Sequence, residues 1–198
     1  MTDYAATRDR VEHYFDRTAT KVWERLTSDA PVSGVRATVR AGRDRMRDVM
    51  LAHLPDALRG ARILDAGCGT GAMAVELAQR GADVVAVDIS PALVEIAEKR
   101  MPANLSGNIT WIAGDMLDAT DGAFDHALAM DSMIYYSAPD IAALLGRANE
   151  RGGGKFVCTL PPRTPALMAM WRVGKLFPRA DRSPTMIPQT TSGVTAAL

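Results

Sequence analysis

The spacing of apolar positions changes along the chain, and the changes divide it into two parts. In the first, Val11, Tyr14, Phe15, Val22, Trp23 and Leu26 recur at helical spacing, interrupted near Thr18-Ala19-Thr20. After Asp29-Ala30-Pro31, a second helical stretch puts Val35, Val39, Met46, Val49 and Met50 on one face, and Pro55 ends it. Arg36, Arg40, Arg43 and Arg47 share another face of the same stretch. From residue 61 the pattern becomes short apolar strands separated by helices. Strands are expected at 61–66, 83–88, 109–113, 124–131 and 155–160. Helices are expected at 72–80, closed by Gly81, then from Pro91 up to Pro102, at 139–150 and at 166–177. Ser90 is placed to cap the second of these, with Pro91 at its first position. A run such as Asp83–Asp88 (DVVAVD), apolar throughout with polar ends, belongs in a buried parallel strand. The pattern therefore predicts an α/β fold: a doubly wound, mostly parallel sheet over residues 59–198, preceded by an N-terminal helical lid over 1–58.

Composition adds little to this picture but excludes several classes. A chain of 198 residues suits one domain, and 47% apolar with 23% charged residues is ordinary for a globular protein. Zero net charge argues against a general nucleic-acid binder. Basic residues gather at 33–50 and 155–182, so an anionic partner should meet those two regions. Cys68 and Cys158 fall in apolar stretches without metal-type partners, which reads as reduced core thiols in a cytosolic protein with no metal site. The N-terminus lacks a secretory signal, and no window approaches the ~20 apolar residues of a membrane helix.

The chemistry lies at the C-terminal ends of the expected strands. Asp65-Ala66-Gly67-Cys68-Gly69-Thr70-Gly71 directly follows the first strand, and its glycines let backbone approach a ligand where side chains would clash. The spacing is GxGxG with an acid two residues before it, whereas a dinucleotide enzyme requires GxGxxG. A pyrophosphate disfavours a nearby carboxylate; a ligand carrying an ammonium group favours Asp65. Asp88, followed by Ile89, ends the second strand where an acid accepts both hydroxyls of a ribose. After the third strand, Asp115 is placed to receive an adenine amino group while Met116 packs on the ring. Asp131 and Ser132, in the run Ala129–Tyr136 (AMDSMIYY), close the fourth strand and are expected beside a methionine moiety.

These motifs look like those of class I S-adenosylmethionine-dependent methyltransferases. The flanking VEHYFDRTATKVWERL, VRATVRAGRDRM and GKLFPR-x-DRSP segments resemble a narrower family, magnesium protoporphyrin IX methyltransferase of chlorophyll and bacteriochlorophyll synthesis. The resemblance spans roughly residues 4–188 and implies a Rossmann-like methyltransferase fold, S-adenosyl-L-methionine as cofactor and a magnesium porphyrin as substrate. It further implies contact with a magnesium chelatase subunit and peripheral association with a membrane. The family continues beyond Met186-Ile187-Pro188 into a helix and two closing strands. The tail QTTSGVTAAL shows no strand pattern, so those strands are expected to be missing.

The acceptor so implied is a propionate carboxylate, ionised at neutral pH and in need of no strong base. His126 is read as a satisfied strand histidine, and His13 and His53 receive no catalytic role. Tyr135 and Tyr136 are candidates for positioning the acceptor; Tyr14, Phe15, Trp23 and the Met168, Met170, Trp171, Phe177 cluster offer further apolar area. Arg40, Arg43 and Arg163 are candidates for its carboxylates, although the arginine stripe also suits a methionine carboxylate or a solvated face. A methyltransferase for another small carboxylate or phenol, and a cofactor-binding relic without turnover, are the alternatives.

Overall fold

In a computed structural model, residues 4–28, 34–118, 122–150, 154–174 and 184–197 are described. Helices α1 (Tyr4–His13) and α2 (Thr20–Leu26) are joined by a π-helical turn at Tyr14–Thr18. That turn is the interruption anticipated near Thr18, and Thr20 Oγ1 donates to the freed carbonyls of Phe15 and Asp16. Helix α3 (Val35–Leu51) completes the N-terminal part. Then follow β1 (Arg62–Ala66), α4 (Ala72–Gln79), β2 (Asp83–Asp88), α5 (Pro91–Arg100), β3 (Asn108–Ala113) and β4 (His126–Ala129). After a short 3-10 turn at Met133–Tyr135 come α6 (Ala138–Glu150), β5 (Lys155–Cys158), α7 (Pro165–Gly174) and α8 (Thr191–Ala197).

All five strands are parallel, in the order β3-β2-β1-β4-β5. Side chains alternate across the pleat, so each central strand feeds two cores. Ile63, Val84, Ala86 and Leu128 pack with Met50, Leu51 and Leu54 of α3 and its C-terminal extension, and with Met73, Ala74 and Leu77 of α4. Leu64, Ala66, Val85, Val87, Ala127 and Ala129 pack with Val11 of α1, Ile141 and Leu144 of α6, and Val194 of α8. Burial on both faces explains why β1 and β2 read as continuous apolar runs. The strand order reverses at β1, between β2 and β4, and a doubly wound sheet opens its ligand crevice at the carboxyl ends of the strands there.

The C-terminal segment, which carries no strand pattern, forms an isolated bridge and a short helix. Gln189 bridges Pro162: the Gln189 N–H donates to Pro161 O, and the Arg163 N–H donates to Gln189 O. Thr190 then caps α8 through the Gly193 N–H, and Val194 is buried against α6. A strand pattern is the wrong test for this tail. Its single apolar anchor inside a capped turn is too short a period to read from sequence. Met168 is half-buried; Phe177 and the side chains of Met170 and Trp171 lie outside the described residues.

Candidate active site

A cavity of about 390 Å³ lies over the carboxyl ends of β1, β2 and β4, roofed by α1 and α3. This is the size range of small-ligand sites. Asp65, Gly67, Cys68, Gly69, Asp88, Ile89, Asp115, Met116, Asp131, Ser132, Tyr135 and Tyr136 all line it. Gly71 does not: it starts α4 behind the cavity, where a Cβ would stand 2.5 Å from the Trp111 ring. Arg40 and Arg43 line it too, whereas Arg163 is exposed and outside it. Cys68 and Cys158 are free, and burial pushes both thiols up, away from reactive thiolate. His126 sits at the start of β4, where its Nδ1 accepts from the Lys155 N–H.

The glycine turn is held by backbone geometry. At Gly67 (φ +86°), a Cβ would lie 2.2 Å from Cβ of Ser132, whose Oγ donates to Ala66 O. Only glycine lets the two strand ends close in this way. Gly69 (φ +54°) is different: a Cβ there meets no protein atom within 4 Å. Its N–H donates to Asp88 Oδ2 at 2.8 Å, and the Ser90 N–H donates to Oδ1 at 2.9 Å. Asp88 thus ties the turn to the end of β2 while its carboxylate borders the cavity. Burial raises its pKa and the two N–H donors oppose the rise.

Three buried side-chain polar atoms lack partners among the described residues: Asp65 Oδ2, Arg47 Nε and Trp111 Nε1. Asp65 and Arg47 both line the cavity. Asp65 is 1% exposed, and its pKa is pushed to about 7, first by burial and then by the Asp88 charge, against a backbone hydrogen bond from Ala74. An orphaned acid and an orphaned cationic donor in one cavity are the complement of an amino-acid zwitterion. With the Asp88 carboxylate bordering the same cavity, the side chains present fit S-adenosylmethionine.

The N-terminal helices contribute what the strand-end motifs could not reveal. Tyr4 Oη donates to Asp115 Oδ1 at 2.7 Å, Arg8 stands 3.5 Å from Oδ2, and the Tyr4 ring stacks on Tyr136. Asp16 accepts from Ser90 Oγ and the Ala92 N–H, joining the π turn to the start of α5. Arg40 donates to the carbonyls of Leu26 and Arg25, so its guanidinium serves the end of α2. Arg47 pairs with Asp44 in place of the local Arg40/Asp44 pair. Arg43 pairs with Asp131 and lies 4.8 Å over the Trp23 ring. No sequence signal marks Tyr4 or Arg8, because the partner they share, Asp115, lies more than 100 residues away.

Comparison with known proteins bears on the acceptor. A family described as a methyltransferase domain matches residues 63–151, and one described as the magnesium-protoporphyrin IX methyltransferase C-terminus matches 129–198. A magnesium-protoporphyrin O-methyltransferase of Rhodobacter capsulatus is 59% identical over 188 residues, covering 94% of this chain and 84% of its own. The chain belongs to the magnesium-protoporphyrin O-methyltransferase family. A protein of that name from Synechocystis is 29% identical over 176 residues, covering 87% of this chain and 76% of its own. The crystal structure of the Synechocystis magnesium protoporphyrin IX methyltransferase with bound S-adenosylhomocysteine superposes with a TM-score of 0.80 at 24% identity. It covers 96% of this chain and 86% of that one, and the likeness establishes the shared fold. The match to the family's C-terminal part includes α8 and the Gln189 bridge. In this protein the same segment braces the 3-10 turn that borders the cavity. Ile187 N–H donates to Ile134 O and Gln189 Nε2 to Tyr136 O, on either side of Tyr135.

Proposed function

We propose that the protein transfers the methyl group of S-adenosylmethionine to one propionate carboxylate of magnesium protoporphyrin IX, forming a methyl ester. Membership of the family, at 59% identity across nearly the whole chain, carries the reading of the acceptor. The orphaned Asp65 and Arg47 atoms carry the reading of the cofactor. Asp65 takes the ammonium group, Arg47 the carboxylate, Asp88 the ribose hydroxyls, and Asp115 with Met116 the adenine. S-adenosylmethionine supplies a sulfonium methyl, an electrophile that needs no further activation.

The protein's work is then orientation and exclusion of water. An acceptor carboxylate is already ionised at neutral pH, so its oxygen attacks the methyl carbon with no proton to remove. The O–C bond forms, the C–S bond breaks, and the electron pair stays on sulfur. Charge is cancelled in the transition state, so a dry cavity favours it. Buried Tyr135 and Tyr136 line the acceptor end; Tyr136 remains a neutral phenol because burial raises its pKa. Among the described residues, no histidine lines the cavity. The N-terminal helices act as the lid that aligns oxygen, methyl and sulfur.

Among the described residues no helix is long and apolar enough to cross a membrane. Contact with a magnesium chelatase subunit and peripheral membrane association follow from the family resemblance alone. Incubation of purified protein with magnesium protoporphyrin IX and S-adenosylmethionine tests the reading. A monomethyl ester detected by mass is the expected product, and absence of ester from folded, cofactor-binding protein refutes it.

A further inference from the structure

We infer that Arg43 selects the regiochemistry of the reaction by holding the propionate that is not methylated. The inference rests on the proposed acceptor, and it assigns a cation that the cofactor leaves unused. Four arginines line the cavity. Arg8 is engaged by Asp9 and Asp115, Arg40 by the carbonyls of Leu26 and Arg25, and Arg47 by Asp44, its buried Nε being the donor assigned to the cofactor. Arg43 donates through Nη1 to Asp131 and makes no other hydrogen bond among the described residues. Its Nε and Nη2 therefore remain as donors, and a guanidinium offers two of them side by side to a carboxylate.

Arg43 is also held in place more firmly than a long side chain on a lid helix would otherwise be. Trp23 lies under the guanidinium, and Asp131 grips it from the core. Asp131 is itself fixed: its N–H donates to Thr159 Oγ1 at 2.7 Å, and Thr159 Oγ1 donates to its Oδ1 at 3.2 Å. Asp131 is the one non-glycine residue at positive φ (59°) among the described residues, a conformation its neighbours must maintain. Beside the cation, Trp23, Phe15 and Tyr135 form an aromatic wall with ring centroids 5.8 and 6.2 Å apart. The rings are tilted by 40° and 61° to one another, so they offer apolar edges and faces beside the guanidinium. An apolar surface with a cation next to it suits a macrocycle carrying a peripheral carboxylate.

Chemistry decides which carboxylate. The reacting oxygen must present a free lone pair in line with the methyl group. A guanidinium on that carboxylate would occupy both oxygens and lower their nucleophilicity. The cation therefore suits the second propionate, and its grip turns the first toward the methyl donor.

The two mono-amides of magnesium protoporphyrin IX, each blocking one propionate, provide the test alongside the diacid. For the wild type, one mono-amide should be inert and the other turned over with a KM about 10- to 100-fold above that of the diacid. Arg43→Met should raise the KM of the diacid to the level of that second amide, with no further rise on amidation and a smaller change in kcat. Arg43→Lys should restore part of the preference. Arg43→Met in an Asp131→Asn background keeps the pair neutral and should lose the same discrimination. Titration with S-adenosylhomocysteine and a thermal melt verify that each variant is folded and binds cofactor. An Arg43→Met or double variant that discriminates diacid from amide as the wild type does would overturn the inference. A folded wild type that esterifies none of the three compounds would overturn the proposed acceptor itself.

Discussion

Replacing Asp65 with Asn separates stability from cofactor binding. The carboxyl is 1% exposed, and its pKa in the folded protein is about 7 against an ordinary 3.8. A group whose folded value is raised contributes stability that is complete below about pH 4 and is lost as pH climbs through 7. At about 1.4 kcal/mol per pH unit, the ionised side chain in the empty cavity costs about 4 kcal/mol. Asp65→Asn removes that cost, so the variant should melt higher than the wild type at pH 8 and close to it near pH 4.5. Cofactor affinity should move the other way. Loss of a charge-assisted bond to an ammonium group weakens binding by about 1.5–3 kcal/mol. The wild type should also bind S-adenosylhomocysteine about eightfold more tightly at pH 7.5 than at pH 6, because a site titrating at 7 must ionise before it pairs. Thermal melts and calorimetric titrations across that range read both effects. Parallel melting curves for the two proteins, together with pH-independent affinity, would refute the assignment.

The other expectations concern the turn, the ribose acid and the reaction. Gly69→Val forces a β-branched residue to φ +54° and fills the space above the turn, so cofactor binding should be lost in calorimetry. Asp88→Ala should weaken cofactor by about 1.5–3 kcal/mol and lower the melting temperature as well, because the carboxylate also accepts from Gly69 and Ser90. With cofactor saturating, kcat should stay flat between pH 6 and 8, while kcat/KM for the cofactor rises through Asp65; a steep basic limb in kcat would reveal a general base. His126→Ala should retain most turnover, since among the described residues the His126 side chain lies outside the cavity and accepts the Lys155 N–H; a loss of about three orders of magnitude in folded protein would contradict this.

The sheet and the glycine turn were legible because their signals are local. Asp65, Gly67, Gly69 and Asp88 sit within one strand-turn-helix-strand segment, and the period of the apolar residues places that segment in the sheet. The roof of the cavity was legible only as helices. Which arginine of an i, i+4, i+7, i+11 stripe meets which acid depends on how α3 is turned against β4. Arg43 faces Asp131, while Arg40 reaches back to α2, and the spacing is blind to the difference. Tyr4 and Arg8 were missed for a related reason: a short polar helix carries no mark of a partner at Asp115. In the tail, the ladder of QTTSGVTAAL is a single bridge and a capped helix of two turns, too brief for periodicity to register.

The polar links between the N-terminal helices and the sheet share a destination. Tyr4 and Arg8 end on Asp115, Asp16 on the start of α5 just after Asp88, and Arg43 on Asp131. Each anchor is a residue that lines the cavity and is proposed to hold the cofactor, or the chain immediately beside one. Hydrogen bonds of this kind contribute about 1 kcal/mol apiece, so no single link holds the roof down. Their sum depends on the strand ends staying where the cofactor needs them. Roof closure and cofactor binding therefore draw on one set of side chains, and each must favour the other by the same factor. The carboxylate acceptor needs no acid or base from the protein, so this shared geometry is where selection has most to act on. It sets the line from acceptor oxygen through methyl to sulfur, and a shift of the roof changes that line without touching any reacting group.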